Sequence, residues 1–163
     1  MPEFTHIDAE GRVRMVDVSA KAPTLRIARA RGAVEMRPET LEGIRGGAIA
    51  KGNVLEAARI AGVMAAKKTA DLIPMCHPLA ISHARVDFTF DPQGHRIAIE
   101  AEARLVGPTG VEMEALTAVA VAALTIYDMC KAYDREMRIV DIFLAEKQGG
   151  KSGHFIRGGA PSV

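Results

Sequence analysis

Six polar residues, Glu112, Glu114, Thr117, Thr125, Asp128 and Lys131, interrupt a long apolar run, Gly110–Ala132 (GVEMEALTAVAVAALTIYDMCKA). Most other positions from Val111 onward are Ala, Val, Leu, Ile or Met, so the run is expected to be a buried helix. At about 100° per residue, Glu114, Thr117, Val121, Thr125, Asp128 and Lys131 share one stripe roughly 120° wide. Charge on an Ala-rich helix is costly unless it lines a wet cleft or is paired. Glu114 and Asp128 lie fourteen positions apart, about 21 Å along a helix axis, so they cannot serve one small reacting centre in the same chain. Asp128 and Lys131, at i and i+3, can. Either the two ends meet separate parts of a long substrate, or each joins a site completed by another subunit. An ordinary helix-end ion pair is the plain alternative for Asp128 and Lys131.

Cys76-His77, between Pro74 and Pro78, is the most unusual local feature, because the prolines hold a thiol and an imidazole in one geometry without regular structure. The other histidines, His6, His83, His95 and His154, make no ligand set with it, so no metal site is expected. No base is evident beside Cys76, which argues against a thiolate nucleophile. His77 is a candidate binder or proton donor, with a hydrogen-bonded structural histidine as the alternative. Lys51 precedes a helix start next to Gly52 and Asn53, where free amides and the dipole favour an anion. Lys147-Gln-Gly-Gly-Lys-Ser-Gly153 lets backbone approach phosphate but lacks Walker spacing. Arg26, Arg29 and Arg31 are expected on one strand face. Together, bases, a fixed imidazole and inward carboxylates suit a small phosphorylated substrate handled by acid–base chemistry and cationic clamps.

These residues need elements to position them. An N-terminal arm, 1–23, holds a short extended candidate, Val13–Val18. Thr24–Met36 reads as a strand, although its Arg and Ala content would equally suit a helix. Pro38–Gly43 resembles a short helix with Pro in its first turn. Asn53 caps a predicted helix, Val54–Lys68, ending on Lys67-Lys68. Asp71–Leu79 is an irregular loop. Ala80–Phe90 and His95–Val106 alternate as strands around an Asp91–Gly94 turn. Met137–Ala145 is the last strand, and 148–163 is a Gly-rich tail expected to be mobile. The order, strand, helix, strand, strand, helix, strand, predicts one α+β domain over 1–163. It is ferredoxin-like, βαββαβ, with an antiparallel sheet and helices packed on one face.

A length of 163 residues suits one domain with a real core, and 25% charged residues at net charge +1 argue against a general nucleic-acid or membrane binder. Aromatic residues are 4% and Trp is absent, which leaves few platforms for stacking bases. Phe88, Phe90 and Phe143 lack the pattern of an RNA-recognition domain that shares this strand order. Cys76 and Cys130 suit a reducing cytoplasm. No signal peptide and no membrane span are expected.

DLIPMCHPL, TGVEMEALTAVAVAALTIYDMCKA, MVDVSAKA at Met15–Ala22 and KSG at Lys151–Gly153 resemble the molybdenum cofactor biosynthesis protein C (MoaC) family, the cyclic pyranopterin monophosphate synthases, over essentially the whole chain. The resemblance implies a ferredoxin-like homo-hexamer, a trimer of dimers with active sites at the dimer interface. It also implies conversion of 3′,8-cyclo-7,8-dihydro-GTP to cyclic pyranopterin monophosphate with release of pyrophosphate. Matched motif by motif, Asp128, Lys131 and Lys51 would be catalytic. Met75, Cys76, His77, Met113, Glu114 and Glu112 would bind substrate, and Lys21, Arg26, Lys147 and Lys151 would lie near its phosphates. No cofactor is required, and Mg²⁺ assistance is left open. The family's tail commonly reads Lys-Ser-Gly-Gly-Lys-Ser-Gly-Asp; here Gln148 and His154 replace the Ser and the Asp. A sensor with the same pocket and no chemistry is the rival reading, and only turnover separates the two.

Overall fold

Twelve residues of alternating size and charge, TLRIARARGAVE, form the central strand, β1 (Thr24–Glu35). Ala28, Ala30 and Val34 are buried, and the intervening Arg29 and Arg31 face away from them. Directly opposite on the neighbouring strand stand Glu102 and Glu100, which accept from Arg29 Nε at 2.6 Å and Arg31 Nε at 2.9 Å. Those cross-strand pairs settle the helix-or-strand ambiguity in favour of the strand. Arg26 has the opposite parity and lies on the other face from Arg29 and Arg31, so the three arginines do not share one side.

The computed structural model describes residues 7–158. After β1 come α1 (Pro38–Arg45), α2 (Val54–Lys67), α3 (Thr69–Leu72), β2 (His83–Asp91), β3 (Arg96–Gly107), α4 (Glu112–Cys130), β4 (Arg138–Gln148) and β5 (Phe155–Ile156). The sheet order is β2-β3-β1-β4-β5, and every neighbouring pair is antiparallel. The first four strands have the ferredoxin-like order expected of βαββαβ, with α2 and α4 packed together over one face. β5 extends the edge.

α4 is long and apolar enough to cross a membrane, yet it is a core helix. Ala115, Val119, Ala122, Ala123 and Ile126 are fully buried against β1, β3 and α2, each large one contributing about 1.5–3 kcal/mol. Small residues bring these layers close. A Cβ on Gly62 of α2 would lie 3.0 Å from the Ala118 carbonyl of α4, and one on Gly32 of β1 would lie 2.7 Å from Val119 Cγ1. Both glycines are therefore fixed by close approach.

Asn53 caps α2 as expected, its side chain accepting from Glu56 N at 3.2 Å. α1 has no side-chain cap of its own. Asp134, just beyond α4, supplies one from a distance, accepting from Arg37 N at 2.8 Å and Thr40 Oγ1 at 3.3 Å. Some boundaries differ from expectation. Val13–Val18 forms no strand, only a bridge from Val13 to Ile7. Asp71 and Leu72 end α3, because Thr69 Oγ1 back-bonds to Ala65 and Ala66 and continues the helical path before Pro74 stops it. Part of the tail expected to be mobile forms β5, paired with β4 through Lys147 and Phe155. The ends of the arm and tail, 1–6 and 159–163, lie outside the described residues.

Candidate active site

The polar stripe of α4 divides into two groups at its two ends. At the C-terminal end, Asp128 holds both candidate lysines: Lys131 Nζ donates to Oδ1 at 2.6 Å and Lys51 Nζ to Oδ2 at 3.2 Å. Lys51 also donates to the Asp128 carbonyl at 2.8 Å, so its ammonium helps to satisfy the last turn of the helix. The Lys131 ammonium, then that of Lys51, lowers the Asp128 carboxyl below its ordinary range, and Asp128 raises Lys131 in return. Asp128 and Lys131 are thus an ion pair in which lysine is firmly protonated. All three side chains are substantially exposed, so the group meets solvent or a partner molecule directly.

Tyr133 positions Lys51. Its hydroxyl oxygen accepts from the Ala50 backbone N–H at 3.0 Å, and its carbonyl accepts from Arg37 Nη2. The turn after α4 therefore ties down the Lys51 loop and the start of α1 together.

At the N-terminal end a cleft opens between the arm, the Pro74–Pro78 loop, the start of α4 and the β4–β5 loop. One part, about 430 Å³, is lined by Lys21, Met75, Cys76, His77, Glu112, Met113 and Glu114. The other, about 700 Å³, is lined by Lys21, Arg26, Glu112, Lys147, Gly149, Gly150 and Lys151. Lys21, Thr109, Gly110 and Glu112 line both, so the two parts are one continuous cleft. The ten residues expected to bind substrate all line it, and Lys51, Asp128 and Lys131 do not.

Within the cleft several side chains already have partners. His77 Nε2 lies 2.6 Å from the Val16 carbonyl, so that nitrogen carries the proton and pins the arm to the loop. Lys147 Nζ donates to Glu112 Oε1 at 2.9 Å. Arg26 donates to the carbonyls of Gly107 and Pro108, both at 3.2 Å. Gly149 and Gly150, with φ of 100° and 75°, press against Leu25 and Arg26 where a Cβ would collide. Cations and left-handed glycine backbone along one wall suit a chain of phosphates.

Glu114 is only 4% exposed. Burial pushes its carboxyl above the ordinary range, Glu112 adds to the rise, and its own backbone N–H opposes it. Burial, then Glu114, likewise raises the Cys76 thiol, against a thiolate nucleophile. Burial and Asp134 push Cys130 up to about 11, which leaves it an inert core thiol.

Sequence reading missed Tyr133, Asp134 and Glu102. Glu102 is 2% exposed; burial would raise its carboxyl, but Arg29 and Arg104 outweigh that and lower it. Its register opposite Arg29 was the available signal. Another hollow, about 490 Å³ and lined by Arg31, Ala33, Phe90 and Phe143 among others, holds none of the candidate residues. Among the described residues no group of three or more His, Cys, Asp or Glu side chains is placed to hold a metal ion.

The chain is 67% identical over 156 residues to the cyclic pyranopterin monophosphate synthase of Desulforapulum autotrophicum, covering 96% of each chain. It is 66% identical to the synthase of that name from Desulfitobacterium hafniense, covering 95% of this chain and 94% of the relative. For that from Roseiflexus sp. the identity is 61%, covering 96% and 99%. The pattern defining the MoaC family matches residues 15–150, which hold α4, the lysine–carboxylate group and all of the cleft lining but Lys151 and Ser152, and the chain belongs to the MoaC family.

Proposed function

We propose that the chain is a cyclic pyranopterin monophosphate synthase of molybdenum cofactor biosynthesis, a lyase. Its substrate is the GTP derivative 3′,8-cyclo-7,8-dihydro-GTP, and its products are cyclic pyranopterin monophosphate and pyrophosphate. Relatives that match nearly its full length carry the synthase name. One observation carries the finer reading: the candidate residues sort into a cationic cleft and, at the far end of α4, a lysine–carboxylate group.

The cleft suits the triphosphate end. Closing the cyclic phosphate requires a sugar hydroxyl oxygen to bond to the α-phosphorus while the bond from that phosphorus to the α–β bridging oxygen breaks. The hydroxyl proton is released, and pyrophosphate leaves with the electron pair. Lys21, Arg26, Lys147 and Lys151 neutralise the charge that grows on it. Met75, Cys76, His77, Met113, Glu114 and Glu112 contact the remainder of the substrate. Opening and rebuilding the purine ring moves protons, and Lys131, Asp128 and Lys51 supply that traffic. Asp128 keeps Lys131 protonated at rest, so Lys131 enters as an acid, and Lys51, whose ammonium also donates to Asp128, shares in the proton traffic.

The two groups lie about 21 Å apart along one helix, which supports a site completed by a second protomer. The proposed assembly is a homo-hexamer, a trimer of dimers with each site at a dimer interface. It works in the cytoplasm, where Cys76 and Cys130 stay reduced. The proposed steps use no cofactor, nucleic acid or membrane.

A turnover assay with the cyclised dihydro-GTP substrate, scoring both products for wild type and Asp128→Ala, tests the reading. Product from the wild type and none from the folded variant is expected. No product from a folded, assembled wild type overturns the activity and leaves a binding protein.

A further inference from the structure

On the β4–β5 hairpin, beside the cleft that Gln148 helps to line, three side chains converge on one carboxylate. Glu146 Oε1 accepts from Gln148 Nε2 at 2.6 Å and lies 2.8 Å from His154 Nε2. Its Oε2 accepts from Arg29 Nη1 at 2.5 Å, and Arg29 is held in turn by the buried Glu102. Lys147 pairs with Phe155 across the hairpin, so strand alternation puts Lys147 on the cleft side, where it meets Glu112. Between them runs the loop whose Gly149, Gly150, Lys151 and Ser152 line the cleft.

We propose that Gln148 and His154, gathered on Glu146, are positioning residues that clasp this loop shut and set its affinity for a pyrophosphate-like anion. The proposal deepens the functional reading above and rests on it for the ligand. A loop with three glycines at positive φ, Gly149, Gly150 and Gly153, has wide backbone freedom, and an anion that must order it binds more weakly. Gln148 and His154 stand at the two ends of that loop. Fixing both to one oxygen closes it before any anion arrives.

Glu146 is suited to the task because it stays ionised. The Gln148 amide is the largest cause, and with His154 and Arg29 it outweighs burial and holds the carboxyl near 2. The charged groups around it are Arg29 and Arg31 of β1, Arg85 of β2, Glu100 and Glu102 of β3, and His154 itself. With hydrogen on Nε2, His154 donates to this carboxylate.

The test is calorimetric titration of inorganic pyrophosphate into the full chain for wild type, His154→Ala and His154→Gln, with thermal melts alongside. His154→Ala is expected to bind about three- to tenfold more weakly at an unchanged Tm. His154→Gln, which keeps a donor, recovers most of that loss. Wild-type binding left unchanged in His154→Ala overturns the clasp alone, as does weaker binding that simply follows a lowered Tm. A wild type that does not bind pyrophosphate overturns both the clasp and the reading of the cleft.

Discussion

Tyr133 accepts the backbone N–H of Ala50 at 3.0 Å, one residue before Lys51, although 83 positions separate the two in sequence. The hydroxyl touches neither Asp128 nor Lys131, yet it holds the loop that brings Lys51 to them. Tyr133→Phe keeps the ring and removes the acceptor. Its kcat is expected to fall roughly three- to tenfold, the worth of one ordinary hydrogen bond. The Tm should barely move, because the residue is 44% exposed. Steady-state kinetics with a melt for each protein check this; an unchanged kcat removes Tyr133 from the positioning of Lys51.

Asp128→Asn keeps the shape of the lysine–carboxylate group and removes its charge. Asp128 raises Lys131, so in the variant Lys131 loses its proton at lower pH. Where protonated Lys131 is needed, the alkaline limb of the kcat profile moves toward neutrality, and the remaining rate falls by about a hundredfold or more. Rates measured across the pH range decide it. An alkaline limb that stays in place assigns that limb to another group.

Subunit mixing tests the composite site. Asp128→Ala lacks one group and His77→Ala lacks part of the other, so each alone is expected to be inactive. In assemblies formed by co-expressing both in equal amounts, about a quarter of sites inherit two intact halves if each site draws on two protomers. Recovered activity near that level is expected. A mixture no more active than its parents would place both groups in one protomer's site.

Glu114 makes a prediction about stability. Burial raises its carboxyl above the ordinary 4.5, so the folded chain binds that proton more tightly than the unfolded chain does. Stability from this group is therefore full below the ordinary value and declines as pH rises through the raised one. Glu114→Gln has no such decline and should gain on the wild type over that interval. Urea midpoints at several pH values from about 4 to 8 measure it; parallel curves for the two proteins contradict the buried-carboxyl account.

Much of this was legible in the sequence for local reasons. The apolar run of α4, the Asn53 cap and the proline-bounded Cys76-His77 loop depend on residues within a turn or two of one another. β1 was ambiguous because its arginines find partners only across the sheet, in Glu100 and Glu102. Asp134 was invisible as the cap of α1 because 97 residues separate it from Arg37. β5 was hidden because a two-residue strand exists only through its partner, β4. Among site residues, motif matching collected the cleft. That Glu112 faces Lys147, and His77 faces Val16, depended on how separate segments pack.

The close fit of Gly62 against Ala118 leaves α4 little room to slide or roll, and this makes the helix a ruler with a fixed phase as well as a fixed length. Inserting one residue near Val121 would turn Asp128 and Lys131 by about 100° relative to Glu112, whereas inserting a whole turn would advance them only about 5.4 Å on nearly the same face. Changes in the length of α4 should therefore be tolerated, if at all, only in steps of about a turn.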